Sequence, residues 1–503
     1  MDGHDVEFAS FQDASDPIGI LHRRARVEPD RIAFTAGDEV WTYRRLATEA
    51  ERLAGAMRAR GVHPGDRVAL HMANLPELAV AYFACFHATA IAAPLNTRLK
   101  TPELRPLLQR LRPVLYLGQD QLYPQVAPIA AAAIDERPIP HRPGLDAPAV
   151  LLATSGTTGQ PKLVVHTPAT LAAIAASFAN IGLSDRQTVL HALPMVHTAG
   201  LATLLGCIRF GAPIVLLERF DPDLALDAIE AHRCSWILGL PFMFTELLQR
   251  QQERPREVGS LRYCLSSGDV CPEALQQDFA DVFGPPLHSF LGSTEGGASL
   301  TYGLQSGPVS RVAPGTEVRI VDDADAPVPR GETGELLVRS PSVSPGYWAG
   351  PDRVEEMPED GWCRTGDLVR RGHGDDLWFV ARKKDLIVRG GSNVAPAEVE
   401  QVLLAHPAVR DAAVAGVPDP VLGQRVAALV QLAGGAEDDS AVPEGVRAVA
   451  AAQLADYKVP ERLLAVDAIP RNAMGKVDRT AALALLLGTA PADDERATVA
   501  ARR

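Results

Sequence analysis

Chemistry-bearing side chains concentrate in a few stretches of this 503-residue chain. The first is Leu151-Leu152-Ala153-Thr154-Ser155-Gly156-Thr157-Thr158-Gly159-Gln160-Pro161-Lys162. A short apolar run ends in hydroxyls alternating with glycines, then a lysine. Gly156 and Gly159 let the backbone turn back on itself. Hydroxyls and free N–H groups then share one concavity, the way a chain cradles phosphate oxygens. Lys162 adds a cation at the rim. A polar surface turn is the plainer reading, yet such a turn has no need of this combination. The spacing is neither Gly-x-x-x-x-Gly-Lys-[Ser/Thr] nor Gly-x-Gly-x-x-Gly.

Phe290-Leu291-Gly292-Ser293-Thr294-Glu295-Gly296-Gly297 sets a hydroxyl beside a carboxylate where a strand ends. Nucleotide-borne magnesium wants a few carboxylate or water oxygens. Glu295 can supply one, and Thr294 can contact a phosphate; the alternative is a charged loop tip. In Gly361-Trp362-Cys363-Arg364-Thr365-Gly366-Asp367, a carboxylate on a glycine-bounded turn suits the paired hydroxyls of a ribose. Alone, Thr-Gly-Asp would mean nothing. Arg382-Lys383-Lys384-Asp385 lies between two predicted strands, where a solvated linker is the default. Lys476 follows Gly475 in a loop, where a cation can reach another domain or simply face water. His197 sits among small and apolar neighbours, where a buried structural histidine is the better reading from sequence alone.

The elements that must hold these residues alternate. Helices are predicted over 16–26, 43–60, 76–87, 168–181, 222–232 and 241–250. Strands are predicted at 31–34, 40–42, 67–71, 189–190, 214–217, 236–238 and 261–265. This β-α-β rhythm argues for two parallel sheets with helices on their faces. From Val318 to Arg339 the pattern changes to short strands and turns, expected to form a small β-barrel. A helix at 396–405 and strands at 409–417 and 425–431 build a further unit. Net charge is -13, so the surface as a whole is no nucleic-acid footprint. The polar, acidic start lacks the basic and apolar regions of a signal peptide. No apolar stretch is long enough to cross a bilayer. The six scattered cysteines form no Cys-x-x-Cys, which argues against zinc and against a disulfide framework. A cytoplasmic location is expected.

In this order and spacing, the motifs resemble those of the adenylate-forming superfamily, in particular its acyl-CoA synthetases (carboxylate–CoA ligases), over nearly the whole chain. The resemblance implies a large amino-terminal domain (1–383), a smaller mobile α+β domain (384–488) and a polar tail (489–503). It implies ATP, Mg2+ and coenzyme A with a small-molecule carboxylic acid, and a carrier-protein thiol as the alternative acceptor. A non-catalytic nucleotide-binding relic is the reading of another class. The loop Thr154, Ser155, Gly156, Thr157, Thr158, Gly159 and Lys162 would bind phosphates. Ser267, Gly268, Asp269, Leu291, Gly292, Ser293 and Thr294 would line the nucleotide, with Leu291 where the family usually stacks a tyrosine on adenine. Asp367 and Arg382 would hold the ribose, although Ala381 replaces the usual glycine before the arginine. Glu295 would carry the metal. Lys476 would bridge substrate carboxylate and α-phosphate, Lys384 would be the hinge, and Gly391 would let pantetheine pass. His197, Gly200, Leu201, Phe242 and Gly297 would line the acyl pocket. The pocket segments contain no arginine to pair a second carboxylate, so a fatty, aryl or bulkier alicyclic acid is expected.

Overall fold

The computed structural model describes residues 16–118, 144–154, 162–303, 306–350, 353–357, 360–372, 374, 376–433, 444–472 and 475–489. Some of its helices start where a cap and a proline coincide. Asp16 accepts from the Gly19 N–H at 2.7 Å and opens the helix Pro17–Val27. Asp221 does the same for Pro222–His232, accepting from the Leu224 N–H at 3.0 Å. Proline fits this first turn because its missing N–H would have no helical partner there.

The first sheet runs in the order Arg353–Glu356, Gly346–Gly350, Lys162–His166, Val150–Thr154, Ile91–Pro94, Arg67–His71, Leu115–Gly118. The last four are parallel, and the first three add antiparallel to their edge. The second sheet runs Leu287–Ser289, Tyr263–Ser266, Trp236–Gly239, Val189–His191, Ile214–Leu216, Ile32–Ala36, Glu39–Thr42. All its pairs are parallel except the terminal hairpin. A continuous core of Phe34, Tyr82, Phe83, Leu204 and Trp236 spans both sheets and the helices between them.

The expected β-rich subdomain is a six-stranded antiparallel sheet. Its order is Leu300–Tyr302, Val309–Val312, Asp376–Arg382, Cys363–Arg371, Thr333–Arg339, Glu317–Val321. The two end strands do not pair with each other among the described residues, so the layer is an open sheet where a barrel was expected. Beyond the turn Lys383–Asp385, a fourth sheet of Ser392–Val394, Ile387–Arg389, Gly423–Leu432 and Val409–Asp419, joined by Arg462–Ala465, packs against Pro396–Leu404, Glu444–Gln453 and Arg479–Leu487.

Candidate active site

Neighbouring parallel strands of the second sheet deliver their carboxyl-terminal ends to one edge, the usual place for ligands in such sheets. From Trp236–Gly239 comes Phe242, from Tyr263–Ser266 comes Ser267-Gly268-Asp269, and from Leu287–Ser289 comes the segment holding Thr294 and Glu295. The first sheet fixes that last segment. His166 Nε2 lies 3.0 Å from the Thr294 carbonyl oxygen, and its Nδ1 lies 3.2 Å from Thr170 Oγ1. A carbonyl only accepts, so Nε2 carries the proton. Burial pushes this imidazole down to about 4, which keeps it neutral and the tautomer fixed. The Thr198 hydroxyl donates to Thr294 Oγ1 at 2.8 Å.

Glu295 is held from the opposite side. The Tyr347 hydroxyl donates to its Oε1 at 3.3 Å, and the Ser344 N–H donates to its backbone oxygen at 2.9 Å. Tyr347 pairs with Val164 beside the strand that begins at Lys162, and Lys162 Nζ stands 4.4 Å from the Tyr347 ring centroid. Burial and the Glu295 charge push the Tyr347 phenol up, so it remains a donor. Lysine, phenol and carboxylate thus form one cluster where the phosphate loop returns to the sheet. The chemistry fits magnesium: Glu295 offers hard oxygen ligands, and the ion keeps waters and takes the rest of its shell from phosphates.

Asp367 and Arg382 face each other across two paired strands. Arg382 Nε lies 2.6 Å from Asp367 Oδ1, an ion pair without hydrogen-bond alignment. Burial raises Asp367 to about 6, against the opposing pull of Arg382 and Lys476. Leu291 packs on the core of the antiparallel sheet, and its N–H donates to Ser310 Oγ at 2.7 Å. Gly292 lies against Ser267. Ser293 Oγ accepts from the Gly296 N–H at 2.9 Å.

The small domain reaches into this edge. Arg471 and Val477 form a bridge, and inside it the Asn472 N–H donates to the Lys476 carbonyl at 2.8 Å while Asn472 Oδ1 accepts from the Lys476 N–H at 3.1 Å. The tip lies on Phe242. A methyl group on Gly475 would stand 2.7 Å from that ring, and the Arg471 guanidinium lies 5.3 Å from its centroid. Arg471 is also paired with Asp411 at 2.5 Å. Val477 N is 3.5 Å from Asp269 Oδ2, and the Lys476 stem passes Gly268. Lys476 is half-buried there. Desolvation lowers its ammonium while Asp269, Asp367 and Glu295 draw it back up. Thus the lysine of one domain faces carboxylates of the other.

Among the residues expected to line the acyl pocket, His197 Nε2 lies 3.2 Å from Asn96 Nδ2. Burial, helped by the charges of Lys476 and Arg98, pushes His197 down to about 4. It is neutral and accepts from the amide. Leu201 belongs to the main core. Gly200 and Gly297 have packing reasons of their own: a methyl group would fall 2.2 Å from the Pro194 oxygen and 2.3 Å from the Ser342 oxygen, respectively. Phe242, expected to line the acyl pocket, packs against the Gly475 tip and Arg471 of the small domain.

Thr154, Lys162, Ser267, Gly268, Asp269, Thr294, Glu295, Asp367, Arg382 and Lys476 therefore converge. Ser155, Gly156, Thr157, Thr158 and Gly159 lie outside the described residues. Lys384 is exposed in its turn, and Gly391 is exposed on the tight turn Gly390-Gly391 with open space around it. Sequence reasoning missed Tyr347, His166, Asn96 and Arg98. Only Tyr347 had a local signal, an aromatic pair after Pro345-Gly346.

Known proteins fit this geometry. The AMP-binding enzyme family matches residues 21–348, and the AMP-binding enzyme C-terminal domain matches residues 398–476. A feruloyl-CoA synthase from Amycolatopsis sp is 33% identical over 474 residues, covering 90% of this chain and 96% of the relative. ATP-bound MatB from Rhodopseudomonas palustris superposes with a TM-score of 0.84 at 28% identity, covering 93% of this chain and 98% of that one. The o-succinylbenzoate CoA synthetase of Bacillus subtilis has been solved with its acyl-adenylate intermediate; it superposes at 0.80 with 31% identity, covering 92% and 97%. Another structure of that enzyme holds ATP and a magnesium ion. Fold and site together define an enzyme that activates carboxylates with ATP. The chain belongs to the AMP-binding enzyme family, and within it to the AMP-forming acid–CoA ligases, which use ATP, Mg2+ and coenzyme A.

Proposed function

We propose that the protein joins an apolar fatty, aryl or bulkier alicyclic acid to coenzyme A in two half-reactions at this one edge. The observation that carries the reading is Lys476, which reaches across to Gly268 beside Asp269, where the charges of Asp269, Asp367 and Glu295 act on it. ATP lies with its phosphates toward Lys162 and Glu295 and its ribose on Asp367 and Arg382. When bound, a magnesium ion would neutralise charge on the phosphates, and Glu295 would hold it. The substrate carboxylate attacks the α-phosphorus, and pyrophosphate leaves. Lys476 offsets the negative charge that gathers on the oxygens between acid and phosphate. His197, neutral and hydrogen-bonded to Asn96, orients the acid and transfers no proton in the reaction. The small domain then turns about Lys384, withdrawing Lys476 and bringing the Gly391 turn to the site. The coenzyme A thiolate attacks the mixed anhydride; the thioester forms and AMP leaves.

A second reading of the substrate rests on one observation. The exposed Arg98, whose N–H donates to Asn96 Oδ1 at 2.9 Å, stands two residues from the partner of His197, although no pocket segment read from the sequence contains an arginine. A long diacid could set its far carboxylate there. Pyrophosphate release with Mg-ATP across monoacids and diacids, with and without coenzyme A, tests both. Release with apolar monoacids, increased by coenzyme A and yielding a thioester by mass, supports the first reading. A preference for long diacids that Arg98→Ala abolishes supports the second. Acyl-AMP that accumulates whether or not coenzyme A is added contradicts coenzyme A as acceptor.

A further inference from the structure

Away from the catalytic edge, three helices of the amino-terminal module bring together His22, Glu51 and His87. His22 lies on Pro17–Val27, Glu51 on Tyr43–Ala59 and His87 on Pro76–Ala88. One ligand atom from each lies within 4.8 Å of the other two. His22 Nε2 and Glu51 Oε1 are 3.4 Å apart, close to the spacing of two ligands on one tetrahedral zinc ion with bonds of about 2.0–2.1 Å. The two imidazoles meet edge to face with centroids 5.3 Å apart. His87 is only 9% exposed, and its Nδ1 is buried without a hydrogen-bond partner. A buried, unpartnered ring nitrogen is costly unless something uses it.

We infer that His22, Glu51 and His87 form a binding site for a divalent transition-metal ion, with zinc as the best match. Two imidazoles and one carboxylate are a common zinc ligand set, with water in the fourth position. Imidazole excludes magnesium and calcium as preferred occupants, because those ions select oxygen. The geometry also allows entry and closure. The side chains of His22 and Glu51 are 34% and 51% exposed, so they can rotate inward from solvent while His87 stays fixed by packing. Arg58, on the same helix as Glu51, acts on His87 and opposes a cation. The six cysteines are all buried, which removes them as competing exposed thiols. Once bound, the ion ties three helices that pack on one another, so it stabilises the folded module.

Zinc titration of the chelator-treated, dialysed full-length enzyme tests this, alongside His22→Gln and Glu51→Gln. Both substitutions sit on exposed side chains outside the catalytic machinery, so ligase activity without added zinc should match wild type and report correct folding. The wild type should take up one zinc per chain, with a raised unfolding temperature. Each variant should bind that zinc about tenfold more weakly or worse, with no thermal shift. Cobalt(II) should give the visible absorption of a four-coordinate N/O site in the wild type only. No zinc uptake by the wild type, or equal uptake and equal cobalt spectra in all three proteins, overturns the assignment.

Discussion

Replacing Gly475 with alanine isolates the docking of the small domain. Gly475 has φ +81° and sits at the tip of the loop that carries Lys476. Two costs follow from a methyl group. The left-handed backbone strains any non-glycine residue by about 1 kcal/mol. That strain is present whichever way the small domain faces, so it cancels between the two orientations. The contact does not cancel. The new methyl carbon would lie 2.7 Å from the Phe242 ring only while Lys476 is inserted. Overpacking of this kind costs about 1–3 kcal/mol. At 1.4 kcal/mol per factor of ten, ATP–pyrophosphate exchange should slow about 5- to 150-fold. Thioester formation from supplied acyl-AMP should change by no more than about twofold, because that step needs no contact at Phe242. A second substitution, Phe242→Leu, should restore much of the exchange in the Gly475→Ala background, giving a coupling of about 0.5 kcal/mol or more. Equal loss in both half-reactions, or a double variant no faster than the single one, would refute the reasoning.

Tyr347→Ala removes the ring beneath Lys162 and the hydroxyl on Glu295. The cation–π share alone is about 0.5–2 kcal/mol, so KM for ATP should rise about 2- to 30-fold. Tyr347→Phe keeps the ring and should recover most of that; identical Phe and Ala variants would count against the cluster. Asp367 titrates at about 6. At pH 5 about nine-tenths of it is protonated and cannot accept both ribose hydroxyls, so KM for ATP should rise about tenfold between pH 7.5 and pH 5. Its folded value lies above the ordinary 3.8, so its contribution to stability is full below that pH and is lost as pH rises through about 6. The loss of affinity on acidification is therefore not unfolding driven by this group. Circular dichroism that stays native at pH 5 while KM climbs is the expected pair of results, and a flat KM would contradict the role of Asp367.

Much of the architecture could be read locally. Asp16 and Asp221 ahead of prolines mark helix starts, and apolar runs between those helices mark the parallel strands, because cap chemistry and hydrophobic period act over a few residues. The active-site motifs were legible for the same reason: each is a turn following a strand, with its chemistry contained in it. What the sequence hid is long-range. Tyr347 joins the first sheet beside Val164 only after the antiparallel sheet has begun, so nothing near it announces Lys162 or Glu295. His166 looks like the end of an apolar strand, and its partner is the Thr294 backbone, which has no residue-type signature. The antiparallel sheet was legible as short strands, but whether its ends meet depends on strand length and register. Phe242 looked like a pocket residue, and only the docked Gly475 tip revealed its second task. The meeting of His22, Glu51 and His87 depends on three helices packing and leaves no spacing pattern at all.

The central claim is that Lys476 acts in forming the acyl-adenylate and not in using it. Lys476→Ala, assayed for each half-reaction separately with an acid the wild type accepts, tests it most directly. ATP–pyrophosphate exchange should fall by about 100-fold or more, while conversion of supplied acyl-AMP and coenzyme A to thioester should stay within about threefold of wild type. Parallel loss of both half-reactions, or exchange that survives, would contradict it.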